Sequence, residues 1–232
     1  MYTDERNIQI VIALLKAHGI RYIVASPGSM NMTFVMSVQD DEDFEVFSCV
    51  DERSAAYMAC GIASEKQQPV VLSCTGATAS RNYMSGLTEA YYRKLPILAI
   101  TSLSSRQNVG MLIAQQLDRS QLPKDVVVKS FYIPSIKDKK DEIVCERETN
   151  TAILSLSQNG GGPVHIDLGS SMSLNQTDQL PLVRTICRYS HIDKLPIIPE
   201  GRIGIMIGSH SKVDADLSTL IDNFCSTYDA IV

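Results

Sequence analysis

The sequence predicts an α/β protein: a doubly wound, mostly parallel sheet with helices on both faces, followed by the start of a second α/β domain. Three observations predict it. Short apolar, β-prone runs alternate with longer helix-prone runs over about residues 5 to 170, the pattern of βα units. The junctions hold Ser26-Pro27-Gly28-Ser29, Asp51-Glu52 and Thr75-Gly76-Ala77-Thr78, residues that suit tight turns and helix starts. Ala55, Ala59 and Ala63 recur at helical spacing, giving a face so slim that another backbone can come very close.

Taken in order, Thr3 or Asp4 can cap a first helix with Ile8, Val11, Ile12 and Leu15 as its apolar stripe and Gly19 as its stop. Residues 20–25 read as a buried strand, 26–29 as a turn and 30–38 as a helix. The run 44–50, broken by Glu45 and Ser48, is the next strand. Asp51 can cap the helix after it, which puts Glu52 in the first turn. A carboxylate there interacts favourably with the helix dipole and needs no other role; the alternative is a carboxylate aimed at a ligand from a rigid element. Residues 69–74 form a third strand, ending in a loop over 75–82 and a helix to about Arg93. Residues 95–101 make a fourth strand.

A polar segment from Ser102 to about Lys124 follows, and loops of that length are usually functional or lids. Residues 126–133 are β-prone, 138–157 helical, Gly160-Gly161-Gly162 is a break, and 163–168 is a last strand. In such sheets ligands bind beyond the carboxyl ends of the strands. Ser26 to Ser29, Glu52, Thr75 to Asn82 and Gln115 all fall at that edge. The expected division is a domain over 1–170, a linker over 171–201 punctuated by Pro181, Pro196 and Pro199, and the beginning of a second domain over 202–232. There, 202–207 reads as a strand, 212–225 as a helix and 229–232 as a strand cut short, as in an N-terminal piece of a longer protein.

Composition narrows the function. The net charge is -5 across 232 residues, which disfavours a general nucleic-acid binder. No apolar run approaches the roughly 20 residues of a membrane helix, and the N-terminus lacks the basic-then-apolar order of a secretory signal. Six scattered cysteines without a C-x-x-C pair read as reduced core residues of a cytoplasmic protein, and four dispersed histidines suggest no metal cluster. The G-x-G-x-x-G, P-loop and G-x-S-x-G signatures are all missing. Pro27-Gly28-Ser29 can be a structural turn or an anion cradle, and Thr75-Gly76-Ala77-Thr78 is equally ambiguous.

Together the motifs are specific. Ser26-Pro27-Gly28-Ser29, Asp51-Glu52-Arg53-Ser54-Ala55, Cys74-Thr75-Gly76-Ala77-Thr78 with Asn82, Glu89-Ala90-Tyr91 and Leu95-Pro96-Ile97 resemble the N-terminal pyrimidine-binding domain of thiamine-diphosphate enzymes. The similarity covers about residues 5 to 170. It is nearest to acetolactate synthase-like enzymes and to the menaquinone-pathway 2-succinyl-5-enolpyruvyl-6-hydroxy-3-cyclohexene-1-carboxylate synthases. Gln115-Gln116-Leu117-Asp118 and Lys129-Ser130 are similar to segments of the former; the Asp-Glu-Arg-Ser-Ala string looks most like the latter. One departure is Met30, where the menaquinone synthases have an arginine that reads substrate carboxylates.

The resemblance implies a 2-oxo acid decarboxylase or carboligase. It implies that Glu52 is catalytic, hydrogen-bonding N1′ of the cofactor's aminopyrimidine, and needs burial to hold a proton near neutrality. Thr75, Thr78 and Asn82 match the loop that approaches the aminopyrimidine; Pro27, Gly28, Ser29 and Gln115 match loops on the substrate side. The diphosphate and Mg²⁺ belong, in the family, to a separate domain with a Gly-Asp-Gly motif, which this sequence lacks. This chain alone is therefore expected to be inactive, to need the diphosphate-binding domain of a second subunit, and to work as a homodimer or homotetramer on a small 2-oxo acid. The alternatives are a stand-alone subunit paired with a separate diphosphate-binding chain, or a non-catalytic α/β binding module.

Overall fold

The computed structural model describes the chain except residues 190–192, 195, 198, 199 and 209–211. His191, Pro199 and His210 thus lie outside the described residues. Two compact units result, Met1–Arg188 and Tyr189–Val232.

In the first unit, α1 (Arg6–Ala17) is buried without a break from Asn7 to Leu15, so it is a core helix. Its end is fixed as the glycine predicts. Gly19 has φ +70°, its N–H donates to the Lys16 carbonyl, and the Ile20 N–H reaches back to Leu15, a Schellman arrangement. The N-terminus differs from expectation. Glu5 is the N-cap residue, because Thr3 lies in a short strand, β1 (Tyr2–Thr3). That strand pairs antiparallel with β8 (Gln176–Thr177). The Glu5 carboxylate accepts instead from Ser170 Oγ, Ser171 N and Oγ, and Ser173 N, fastening the segment that leaves the main sheet.

That sheet holds β2 (Tyr22–Ala25), β3 (Glu45–Ser48), β4 (Val70–Thr75), β5 (Ile97–Leu103), β6 (Lys129–Ile133) and β7 (Val164–Gly169). The order is β3-β2-β4-β5-β7-β6, and every neighbouring pair is parallel. The helices between them are α2 (Met32–Gln39), α3 (Glu52–Lys66), α4 (Ala77–Asn82), α5 (Met84–Arg93) and α6 (Lys139–Ser155). Successive strand residues enter opposite cores, as a two-residue period dictates. Ile23, Val71 and Ile166 join Ile8, Leu15 and Ile153 on the α1/α6 face. Val24, Leu72 and Ala99 join Ala55, Ala59 and Leu87 on the α3/α5 face. The close approach of α5 falls at Ala56, beside the Ala55, Ala59 and Ala63 face: a Cβ on Gly86 of α5 would stand 2.5 Å from Ala56 Cβ.

Two consequences bear on function. The chain passes from β2 to one side for β3 and to the other for β4, so their carboxyl ends flank a topological switch point. And the stretch 75–82, expected as a loop, becomes helical from Ala77, with Gly76 as its N-cap residue.

Among its described residues, the second unit holds one helix, α7 (Ala215–Tyr228), capped by the Asp214 carboxylate on Leu217 N. The strands expected over 202–207 and 229–232 reduce to a single parallel bridge, Gly204 to Ile231. Two short segments with no further neighbours gain too little to form a ladder.

Candidate active site

Three turns meet at the carboxyl rim of the sheet. After β2 the backbone is held down by Ser26 N–H on the Ser73 carbonyl at 2.8 Å. The buried Asn31 amide donates to Ser26 O and Ser73 Oγ. Gly28 then comes so close to β4 that a Cβ on it would lie 2.7 Å from Thr75 Cβ. The substrate-side and cofactor-side loops of the sequence reading are thus in contact, through Gly28 and Thr75. Pro27 and Ser29, beside Gly28, are exposed.

After β3, Asp51 caps α3: its Oδ2 accepts from Ser54 N at 3.0 Å and from Ser54 Oγ at 2.6 Å. These Ser54 bonds, the side-chain one foremost, hold its carboxyl below the usual range. Glu52 follows in the first turn, half-exposed in this chain. Its Oε2 accepts from Asn82 Nδ2 at 3.3 Å. Thr78 and Asn82 are four apart on α4, so they share a face, and both are exposed. Thr75 Oγ1 is buried without a partner, and such a group is costly unless something supplies the missing bond. Of the four residues expected on the cofactor side, Glu52 and Asn82 therefore touch directly, and Thr75 has an unsatisfied hydroxyl.

Gln115 stands apart from these. It is exposed, with φ +60°. Its neighbour Gln116 is half-buried, and Gln116 Oε1 is a second buried acceptor without a partner. The segment is tied to α4 by Arg81 Nη2 donating to the Asp118 carbonyl at 2.9 Å.

Sequence reasoning missed a buried polar network beside this rim. Arg119, 3 % exposed, donates from Nε and Nη2 to Asp167 Oδ1 at 3.1 and 2.5 Å. Thr101 Oγ1 donates to the same oxygen at 3.1 Å and lies 2.7 Å from His165 Nε2. Ser130 Oγ stands 2.8 Å from His165 Nδ1. Since the Thr101 proton goes to Asp167, His165 must donate from Nε2 and accept at Nδ1. Burial pushes the His165 imidazole down to about 4, against the pull of Asp167, so it is neutral. Arg106 adds a second cation, 3.6 Å from Asp167 Oδ2 and 4.4 Å from the Tyr132 ring centroid. The only signal available in the sequence was the apolar setting of His165 and Asp167 within one strand.

The rim gathers several polar groups at one place. It offers a carboxylate acceptor, an amide beside it, a hydroxyl lacking a partner, and glycines that leave the backbone bare. The family described as "Thiamine pyrophosphate enzyme, N-terminal TPP binding domain" matches residues 7–122, and the chain belongs to it, as an N-terminal TPP-binding domain of this enzyme family. It is similar to the 2-succinyl-5-enolpyruvyl-6-hydroxy-3-cyclohexene-1-carboxylate synthase of Bacteroides thetaiotaomicron, at 36% identity over 195 residues, 83% of this chain and 35% of the relative. The synthase of the same name from Desulfotalea psychrophila is 34% identical over 157 residues, 66% of this chain and 28% of the relative. The chain spans about a third of the length of these curated relatives. Among solved structures, the thiamine diphosphate-dependent 4-hydroxybenzoylformate decarboxylase of Rhodococcus jostii RHA1 superposes with a TM-score of 0.60 at 22% identity, over 70% of this chain and 30% of that one. Benzoylformate decarboxylase from Polynucleobacter necessarius gives 0.61 at 22% identity, over 81% and 33%. These two share the fold.

Proposed function

We propose that Glu52 is the proton-relay carboxylate of a thiamine-diphosphate-dependent 2-oxo acid decarboxylase or carboligase, of which this chain forms the N-terminal part. The observation that carries this reading is the bond from Asn82, at the end of α4, to Glu52 in the first turn of α3, at the rim where the Thr75 hydroxyl has no partner. When bound, the cofactor supplies a nucleophilic carbon and an electron sink for decarboxylation. The chain's own work is placement and proton holding. Glu52 would share a proton with a nitrogen of the cofactor's ring, with Asn82 steadying the carboxylate; Thr75 and Thr78 would help to hold the ring, and Pro27, Gly28, Ser29 and Gln115 would serve the substrate side.

Glu52 is half-exposed here, so the dry surroundings a proton-sharing carboxylate needs must come from a surface laid over the rim. We assign that role to the diphosphate-binding domain of a second subunit, which also holds the diphosphate and Mg²⁺; the working form is a homodimer or homotetramer. In this reading, residues 1–170 are the pyrimidine domain, 171–201 a linker and 202–232 the start of a central domain. The relatives' names favour a synthase, hence carboligation. Met30 in place of a carboxylate-reading arginine means that any acidic substrate group must be clamped elsewhere.

The test is Glu52→Gln in the full-length protein, assayed for CO₂ release across a panel of 2-oxo acids. Turnover is expected to vanish while the far-UV circular dichroism spectrum stays the same. Normal turnover by this variant would sink the relay role.

A further inference from the structure

We infer that Arg119 is a positioning residue that sets the height of the Gly76 turn and clamps the 104–122 segment against it, so that Thr75 and Gln116 are presented to the cofactor side of the rim; this rests on the functional reading above.

The geometry is specific. Gly76 N–H donates to the Ser102 carbonyl at 2.6 Å. A Cβ on Gly76 would stand 2.6 Å from Arg119 Nη1 and 2.6 Å from Ser102 O. The guanidinium is thus packed into the space beside the turn that glycine leaves open. Asp167, within β7, fixes it from the other side through two bonds to one oxygen. Asp167 is 1 % exposed and is itself held by Thr101, whose orientation His165 and Ser130 define in turn. The anchor is therefore rigid, and a planar fork suits it better than an ammonium would.

Arg119 Nη1 is buried without a partner, and two further observations bear on its role. The cavity that Arg119 lines with Ser80, Thr101 and His165 measures about 10 Å³, room for one water and no more. And the residue before Arg119 is bonded through its carbonyl to Arg81 of α4, next in sequence to Asn82. Adjacent residues 118 and 119 thereby join three pieces: α4 with its Glu52-bonded amide, β7, and the segment carrying Gln115 and Gln116. An error at this joint would displace two of the unpartnered acceptors, Thr75 Oγ1 and Gln116 Oε1, together. Misplacement by about 1 Å can cost on the order of a hundredfold in rate.

The experiment uses the full-length protein and two variants, Arg119→Lys and the double change Arg119→Met/Asp167→Asn. The first keeps the charge facing Asp167 but loses the fork beside Gly76. The second removes both charges, so that none is left buried and alone. Three quantities are read: thermal midpoint, thiamine diphosphate affinity by calorimetry with Mg²⁺, and the rate of protease cleavage within 109–117. Positioning predicts a near-normal midpoint for Arg119→Lys, with cofactor affinity lower by about tenfold or more and cleavage faster by a similar factor. The double variant should weaken affinity at least as much. Wild-type affinity and cleavage in both variants, or an affinity that falls only in step with the midpoint, would overturn the inference. If the unaltered protein bound no thiamine diphosphate, the functional reading would fall, and the cleavage rates would still decide whether Arg119 clamps the segment.

Discussion

The side-chain-free contacts carry as much weight as the charged ones. Gly28 and Thr75 approach until a single added carbon would overlap, at 2.7 Å. Gly28→Ala is therefore expected to destabilise the protein by about 1–3 kcal/mol, the usual range for overpacking, measured by urea denaturation. His165 makes a prediction about acidity. Its folded-state value is pushed down to about 4 from 6.5, by burial first. The unfolded chain then binds a proton that the folded chain refuses, so stability falls as pH drops from about 6.5 to about 4, and levels off below. The loss is on the order of 3 kcal/mol. Urea midpoints across that window should show the slope, and His165→Gln should flatten it.

Among the elements, α6 tests capping most cleanly. The Asp138 carboxylate accepts from Lys140 N and Asp141 N, and Asp138→Ala should cost about 1 kcal/mol in the same measurement. Gly86→Ala would drive a methyl to within 2.5 Å of Ala56 Cβ; a cost of about 1–3 kcal/mol is expected from prising α5 off α3, against a gain of about 0.5–1 kcal/mol at exposed Gly61, a mid-helix glycine with open space. Much of this layer was legible in the chain. Asp51 announced its helix, Gly19 ended α1, and the alanine repeat foretold a close neighbour, because each signal is local. What was illegible is long-range. Arg119 and Asp167 are 48 positions apart, and nothing in either neighbourhood names the other. Likewise Thr3 looked like a cap until Thr177, far along the chain, drew its neighbour into a strand. The candidate residues at the rim were found as motifs, yet the contact between Asn82 and Glu52 depends on α4 being a helix, which Thr-Gly-Ala-Thr does not reveal.

For the molecule as a whole, the proposed site is one-sided, its diphosphate half being assigned to a second subunit. The 232-residue chain is therefore expected to bind thiamine diphosphate far more weakly than the full-length protein, and to release no CO₂ from any 2-oxo acid. Calorimetry on both proteins checks this, and equal affinities would show that the pyrimidine side suffices.

Because all six strands of the main sheet run the same way, each helix returns to the opposite edge before the next strand begins. There the chain turns at Gln67 and Lys94, both left-handed, and no residue assigned a catalytic duty is found along it. A protein engineer gains a practical partition from this: fluorophores, epitope tags or inserted loops can be grafted at those turns, leaving the reactive side to report on itself.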